Sequence, residues 1–158
     1  MIKKNLWLLF LLCIACEDQS LMKHPLDKSQ TRTIILDNEL KVYLLSDPDF
    51  NISAASLAVD VGSLENPDNR LGLAHFLEHM LFLGTEKFPD VDEYSSYLKN
   101  NGGFSNAYTT TDHTNYQFQV LPDALEGAID RFAQFFIGPL FTEEYTAREV
   151  NAVNSEHQ

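Results

Sequence analysis

Residues 70–83 are apolar almost all the way round, from Leu71 and Leu73 through Phe76, Leu77 and Met80 to Leu83, yet they carry His75, Glu78 and His79. The apolar spacing predicts a helix, stopped by Gly84 as its left-handed C′ residue. A helix with so little polar surface is expected to be buried. At about 100° per residue, His75, Glu78 and His79 project within one narrow stripe. Burying two imidazoles and a carboxylate is costly unless something satisfies them. A divalent metal does so: histidines at i and i+4 stand one turn apart and reach one ion, which leaves Glu78 beside it as a base. The competing interpretation is a solvent-facing polar stripe, or two hydrogen-bonded core histidines.

Two histidines do not complete a catalytic zinc site, which takes three protein ligands and keeps a position open. The candidates for the third are His113, His157, Glu149 and Glu156. On the last predicted helix, Tyr145, Glu149, Ala152, Val153 and Glu156 share one stripe. Two carboxylates at i and i+7 on a partly apolar face suit a ligand and its supporter, without deciding which is which. His113 sits in a predicted turn, where a hydrogen-bonding role is expected.

The rest of the chain predicts the frame around that helix. Residues 31–36 and 40–45 flank Asp37-Asn38-Glu39 and read as a hairpin. Residues 52–61 are rich in small and β-branched side chains and predict a third strand. Asp90 is placed to cap a second helix over 91–100, ended by Asn101-Gly102-Gly103. Residues 104–110 and 115–121 predict strands joined by a tight polar turn, and Tyr116, Phe118 and Val120 alternate with polar residues in the second. Pro122-Asp123 opens a helix to about 137, with Leu125, Ala128, Ile129, Phe132 and Phe136 at helical spacing. Thr142 precedes the last helix, whose first turn holds Glu143 and Glu144, favourable against the helix dipole. The order predicts an α+β domain, an antiparallel or mixed sheet with helices packed on one face.

Composition narrows the function. Hydrophobic residues make up 44% and charged residues 22%, which suits a globular domain. A net charge of −12 disfavours nucleic acid, whose phosphates need a basic face. Residues 1–15 have a positive start at Lys3-Lys4 followed by an apolar run too short to span a bilayer, the layout of an export signal. Cys16 follows Ile14-Ala15, as in a bacterial lipobox, with Cys13 where Leu is usual. Acylation of Cys16 and attachment to a membrane of the bacterial cell envelope, on the periplasmic side, are expected. An ordinary cleaved signal is the alternative. Residues 16–30 read as a polar tether and 31–158 as the folded domain. With Cys13 and Cys16 the only cysteines, the folded domain has no disulfide and depends on packing or a metal.

Three blocks carry a resemblance: GLAHFLEHMLFLGTEKFP at 72–89, GGFSNAYTTTDHTNYQFQV at 102–120 and REVNAVNSEH at 148–157. H-x-x-E-H is the inverted zinc motif of the inverzincins. Together the blocks resemble the insulinase–pitrilysin family of zinc peptidases, on its insulysin–pitrilysin branch, over residues 31–158. Residues 80–155, between His79 and Glu156, match the family's spacing. The resemblance implies that His75, His79 and Glu156 bind one zinc, that Glu78 is the general base and that Glu149 supports the site. It implies that Asn106 and Ala107 contact the substrate backbone, a recognition mode that ignores side-chain identity. The alternative for Ser105–Tyr108 is an ordinary strand.

The expected activity is zinc-dependent cleavage of peptide bonds. Members of this branch have four related domains closing as two halves around a chamber. At 158 residues the chain is expected to be an N-terminal part of such a peptidase, incomplete in its first domain and needing a C-terminal half or partner chain. The alternative is an inactive zinc- or peptide-binding module, or a lipoprotein fragment. Intact Glu78 argues for chemistry, since a purely structural metal site has little use for it.

Overall fold

A computed structural model describes residues 24–156, in two compact units that divide after Asp49. The expected export signal, Cys16 and His157 lie outside the described residues. In the first unit, β1 (Gln30–Ile35) and β2 (Lys41–Ser46) form the expected antiparallel hairpin, with Thr33 opposite Tyr43. Asn38 Oδ1 accepts from the Leu40 N–H at 3.2 Å, and Glu39 turns the chain at a φ of 68°. Asn and Asp favour such turns because the side chain imitates the backbone.

The second unit runs β3 (Ser53–Val59), a short 3₁₀ turn (Ser63–Glu65), α1 (Leu73–Met80), α2 (Glu93–Asn100), β4 (Phe104–Thr109), β5 (Thr114–Val120), α3 (Leu125–Ile137) and α4 (Glu143–Glu156). Its sheet has the order β3-β5-β4, and both pairings are antiparallel. Helices α1, α2 and α3 all contact this sheet, and α1 also packs on α4. The period-2 alternation of β5 sets the layers. Thr114, Tyr116, Phe118 and Val120 are buried toward the helices, while Gln117 on the other face is exposed. Phe82, Tyr94 and Phe135 complete the core with edge-on ring contacts at centroid distances of 4.9–5.0 Å between Phe135 and the other two, the arrangement that ring quadrupoles favour.

The β4–β5 hairpin closes where the Thr110 N–H donates to the His113 carbonyl at 2.8 Å. Its turn is clamped by the chain after β3: the Ser63 and Leu64 N–H groups donate to the carbonyls of Thr110 and Thr111, each at 2.9 Å. Gly62 permits that approach, since a Cβ there would lie 2.6 Å from Thr110 O and Asp112 N.

Three local expectations shift. Helix α1 is shorter than 70–83. It starts after Gly72, whose φ of 84° is outside the helical region, and Asn66 Oδ1 accepts from the Ala74 N–H at 2.9 Å. At its far end the Phe82 and Leu83 N–H groups reach only three residues back, to His79 and Met80, before Gly84 turns left-handed at φ 91°. Helix α2 begins at Glu93, because Asp90 uses its carboxylate on the Asp92 N–H at 2.9 Å in a turn ahead of the helix. Finally, α1 is not buried all round. Glu78 and Met80 are buried, but Leu73 and Leu77 stay 43% and 42% exposed, because β4 and α4 cover two of its sides and leave a third open.

Candidate metal centre

Helix α1 contributes His75 and His79 from successive turns, and α4 contributes Glu149 and Glu156 two turns apart. Buried Val153 sits between those two glutamates at the α1–α4 contact, so packing brings the carboxylates over the imidazoles. His75 Nε2 lies 3.2 Å from His79 Nε2 and 3.3 Å from Glu156 Oε2. The third side of that triangle, His79 Nε2 to Glu156 Oε2, is 3.7 Å. Zinc bonds of about 2.0–2.1 Å in a tetrahedron put its ligands about 3.3–3.4 Å apart. The three atoms thus stand at the spacing of three tetrahedral ligands, and two imidazoles with a carboxylate are a donor set zinc accepts. Among the described residues His75, His79 and Glu156 are the group able to hold a metal.

Glu149 plays a different part from Glu156. Its Oε2 lies 3.0 Å from His79 Nδ1, and its Oε1 accepts from Arg148 Nε at 3.0 Å. An ionised carboxylate only accepts, so this contact favours the tautomer of His79 with its proton on Nδ1 and a lone pair on Nε2. That is the nitrogen facing His75 and Glu156. The two carboxylates that residue spacing left interchangeable are separated by which nitrogen each meets. His113, by contrast, bonds to Asp112 Oδ1 at 2.8 Å and to Thr110 Oγ1 at 2.9 Å, within its own turn. The bond from His113 holds the Asp112 carboxyl below its usual range.

Glu78 is 7% exposed and projects beside the triangle without joining it. The Thr109 hydroxyl donates to its Oε2 at 2.6 Å. Thr109 was not singled out from sequence. The available signal was a buried carboxylate in need of a donor and a strand whose inward positions, Ser105, Ala107 and Thr109, are small.

A cavity of about 620 Å³ spans the group, lined by His75, Glu78, His79, Ala107 and Glu149 among others. Strand β4 borders it and is an edge of the sheet. Because Thr110 and His113 form a hydrogen-bonded pair, antiparallel alternation makes Asn106–Gln117 the same kind and Ala107–Tyr116 the other. The Ala107 N–H and C=O therefore face the free edge. Asn106, one residue away, is exposed and shares the open sheet face with Gln117.

Residues 41–158 match the family model for insulinase, peptidase family M16. The insulin-degrading enzyme of Drosophila melanogaster is 58% identical over 132 residues, which cover 84% of this chain and 13% of that protein. The insulin-degrading enzyme of Homo sapiens is 55% identical over 136 residues, covering 86% and 13%. The crystal structure of pitrilysin superposes with a TM-score of 0.81 at 44% identity, covering 87% of this chain and 15% of that one. The chain thus spans about an eighth to a seventh of the length of these relatives, with the α+β arrangement of pitrilysin. On the family match and these identities, the chain belongs to the insulinase family, peptidase family M16.

Proposed function

We propose that this chain carries the zinc ligands and the proton-transfer residue of a peptidase active site. The supporting observation is the triangle of His75 Nε2, His79 Nε2 and Glu156 Oε2, with sides of 3.2, 3.3 and 3.7 Å. Those residues would hold one zinc, and Glu149 would fix the tautomer of His79. Bound there, zinc supplies a Lewis acid that polarises the scissile carbonyl and acidifies water. Glu78 takes the proton of the attacking water as its oxygen bonds to the carbonyl carbon. It returns that proton to the amine as the C–N bond breaks. The free edge of β4 at Asn106-Ala107 receives the backbone of an extended peptide substrate by strand addition.

The test is elemental analysis of the folded chain. One zinc per chain is expected, lost in His75→Ala, His79→Ala and Glu156→Ala and kept in Glu78→Gln. Zinc retained in His75→Ala would refute the ligand set.

A second proposal concerns what else turnover needs. The open side of α1 at Leu73 and Leu77 and the 13% share of the relatives' length favour a chamber completed by further polypeptide, a C-terminal half or a partner chain. Without it the site binds zinc and peptide but turns over poorly, because an exposed site loses preorganised donors and water exclusion. Turnover of a quenched fluorogenic peptide with and without an added C-terminal half, with Glu78→Gln as background, decides between a binding module and a peptidase. Export and acylation of Cys16 to a membrane of the bacterial cell envelope are proposed on the sequence alone. Fatty-acid labelling that survives Cys16→Ser would rule out that anchor.

A further inference from the structure

We infer that Thr109 is the positioning residue of the base: its hydroxyl fixes the Glu78 carboxylate by one oxygen and leaves the other to the cavity. This rests on the role proposed for Glu78. Thr109 Oγ1 has two acceptors in reach, Glu78 Oε2 at 2.6 Å and Thr114 Oγ1 at 3.2 Å. It has one proton to give. The carboxylate wins on charge and on distance, since a hydrogen bond to an ionised acceptor is shorter and about twice as strong as one between neutral groups. Thr114 is in turn committed elsewhere, because its hydroxyl donates to the Val61 carbonyl at 2.8 Å. Toward Thr109 it therefore presents a lone pair, which keeps the Thr109 proton directed at Glu78.

The support is rigid. Thr109 and Thr114 are a cross-strand pair at the last rung of the β4–β5 ladder, where side chains stand closest in a non-hydrogen-bonded pair. That rung is pinned to the chain at 61–64 by the Val61 carbonyl and by the Ser63 and Leu64 N–H groups. Among the described residues, no side-chain or backbone donor other than Thr109 reaches Glu78. Glu78 is 7% exposed, so Oε2 depends on the Thr109 hydroxyl more than a solvent-facing carboxylate would. The carboxylate plane is thus set by a neighbouring strand, independently of the helix that carries the base and both histidines.

Three variants of the full chain test this: Thr109→Val, which keeps the shape and removes the donor, Thr109→Ser, which restores the donor, and Glu78→Gln. The first readout is NMR of the chain carrying Cδ-labelled glutamate, with the Glu78 signal assigned by its loss in Glu78→Gln. Thr109→Val is expected to shift that signal toward free glutamate and to remove a slowly exchanging threonine hydroxyl proton. Thr109→Ser is expected to keep the carboxylate signal in place. Zinc content is expected to be equal in all three. Where the completed protein turns over peptide, Thr109→Val is expected to lower kcat roughly ten- to a hundredfold with KM unchanged within about twofold, the scale set by misplacing a reacting group, and Thr109→Ser is expected to recover most of it. An unmoved Glu78 signal in Thr109→Val overturns the inference, as does full kcat in that variant when Glu78→Gln is dead. Turnover that survives Glu78→Gln instead overturns the role of the base itself.

Discussion

His79 and Glu149, seventy residues apart, meet with Nδ1 and Oε2 separated by 3.0 Å, and this contact decides which nitrogen of His79 faces His75 and Glu156. An imidazole aimed at a metal needs its other nitrogen held by an acceptor to keep both tautomer and orientation. The Glu149 side chain is only 12% exposed and is tied by Arg148 on its other oxygen, so its carboxylate has little freedom.

Replacing Glu149 should therefore weaken zinc without abolishing its site. Glu149→Ala is expected to reduce zinc affinity roughly 10- to 100-fold, measured by competition with a chromogenic chelator. Glu149→Gln keeps a carbonyl acceptor for Nδ1–H and should lose less. Glu156→Gln should lose more than either, because Glu156 Oε2 is a corner of the triangle. If Glu149→Ala binds zinc as tightly as the unaltered chain, the contact orients nothing.

Much of this was legible because the signals are local. The H-x-x-E-H stripe on one helix, the hairpin turn at Asn38, and the alternation of Tyr116, Phe118 and Val120 are all set by residues near one another. The pairing of β3 with β5 was not legible, since two helices and β4 intervene and strand pairing at that range leaves no local trace. Residue spacing alone did not separate Glu149 from Glu156, since residues 143–156 put both on one stripe; the family resemblance implied their roles, and the docking of α4 on α1 sets each against a different nitrogen. The exposure of Leu73 and Leu77 runs against a pattern that reads as buried, because periodicity tells which positions are apolar and not what covers them.

Alkaline pH should destabilise the second unit through Tyr116. Burial, and secondly the Glu78 carboxylate, push its phenol above the usual value near 10. The folded state then keeps a proton that the unfolded chain gives up. Stability is intact below about pH 10 and falls as pH rises from there toward the raised value, where the unfolded state binds fewer protons. Tyr94 is raised by burial and adds to the slope. Urea melts of metal-free protein at pH 8 and pH 11 measure it. Tyr116→Phe should narrow the gap between the two melts, and Glu78→Gln should narrow it less. An unchanged gap in Tyr116→Phe would remove Tyr116 as its source.

Tyr94 offers a case in which deleting a polar group is expected to cost little. Its ring packs against Phe135 at 4.9 Å, 6% of the residue is exposed, and its hydroxyl has the Ser105 side chain as a neighbour but makes no hydrogen bond of ordinary geometry among the described residues. A buried unpaired hydroxyl costs about 1–3 kcal/mol. Tyr94→Phe keeps the ring and is expected to leave stability unchanged or raise it by up to about 1 kcal/mol. Phe135→Ala in the same cluster should lose about 3–5 kcal/mol. Thermal melts of both variants check the contrast, and a loss in Tyr94→Phe comparable to that in Phe135→Ala would mean that the hydroxyl is bonded in solution.

Gly62 is a sensitive backbone position. It sits where the chain leaving β3 crosses the β4–β5 turn, and a Cβ there would lie 2.6 Å from Thr110 O, Thr111 C and Asp112 N, all of them backbone atoms. No rotamer change relieves such a contact, so one chain must move. The movable partner is the turn at 110–113, held by the Ser63 and Leu64 N–H groups at 2.9 Å each. Pushing it away strains those two bonds and the reach of Thr114 to the Val61 carbonyl, and with them the rung that carries Thr109. Gly62→Ala is therefore expected to cost about 1–3 kcal/mol, the range for overpacking a tight contact. It should also shift the Glu78 Cδ signal in the direction that Thr109→Val does, while zinc content stays near one per chain. Ala at Gly127, where the nearest obstacle is the Tyr97 side chain at 2.2 Å rather than backbone, is the comparison. It should destabilise by displacing a side chain and leave the Glu78 signal in place. Equal Glu78 shifts in the two variants would show that the carboxylate responds to general loosening of the fold and not to the 62–114 clamp.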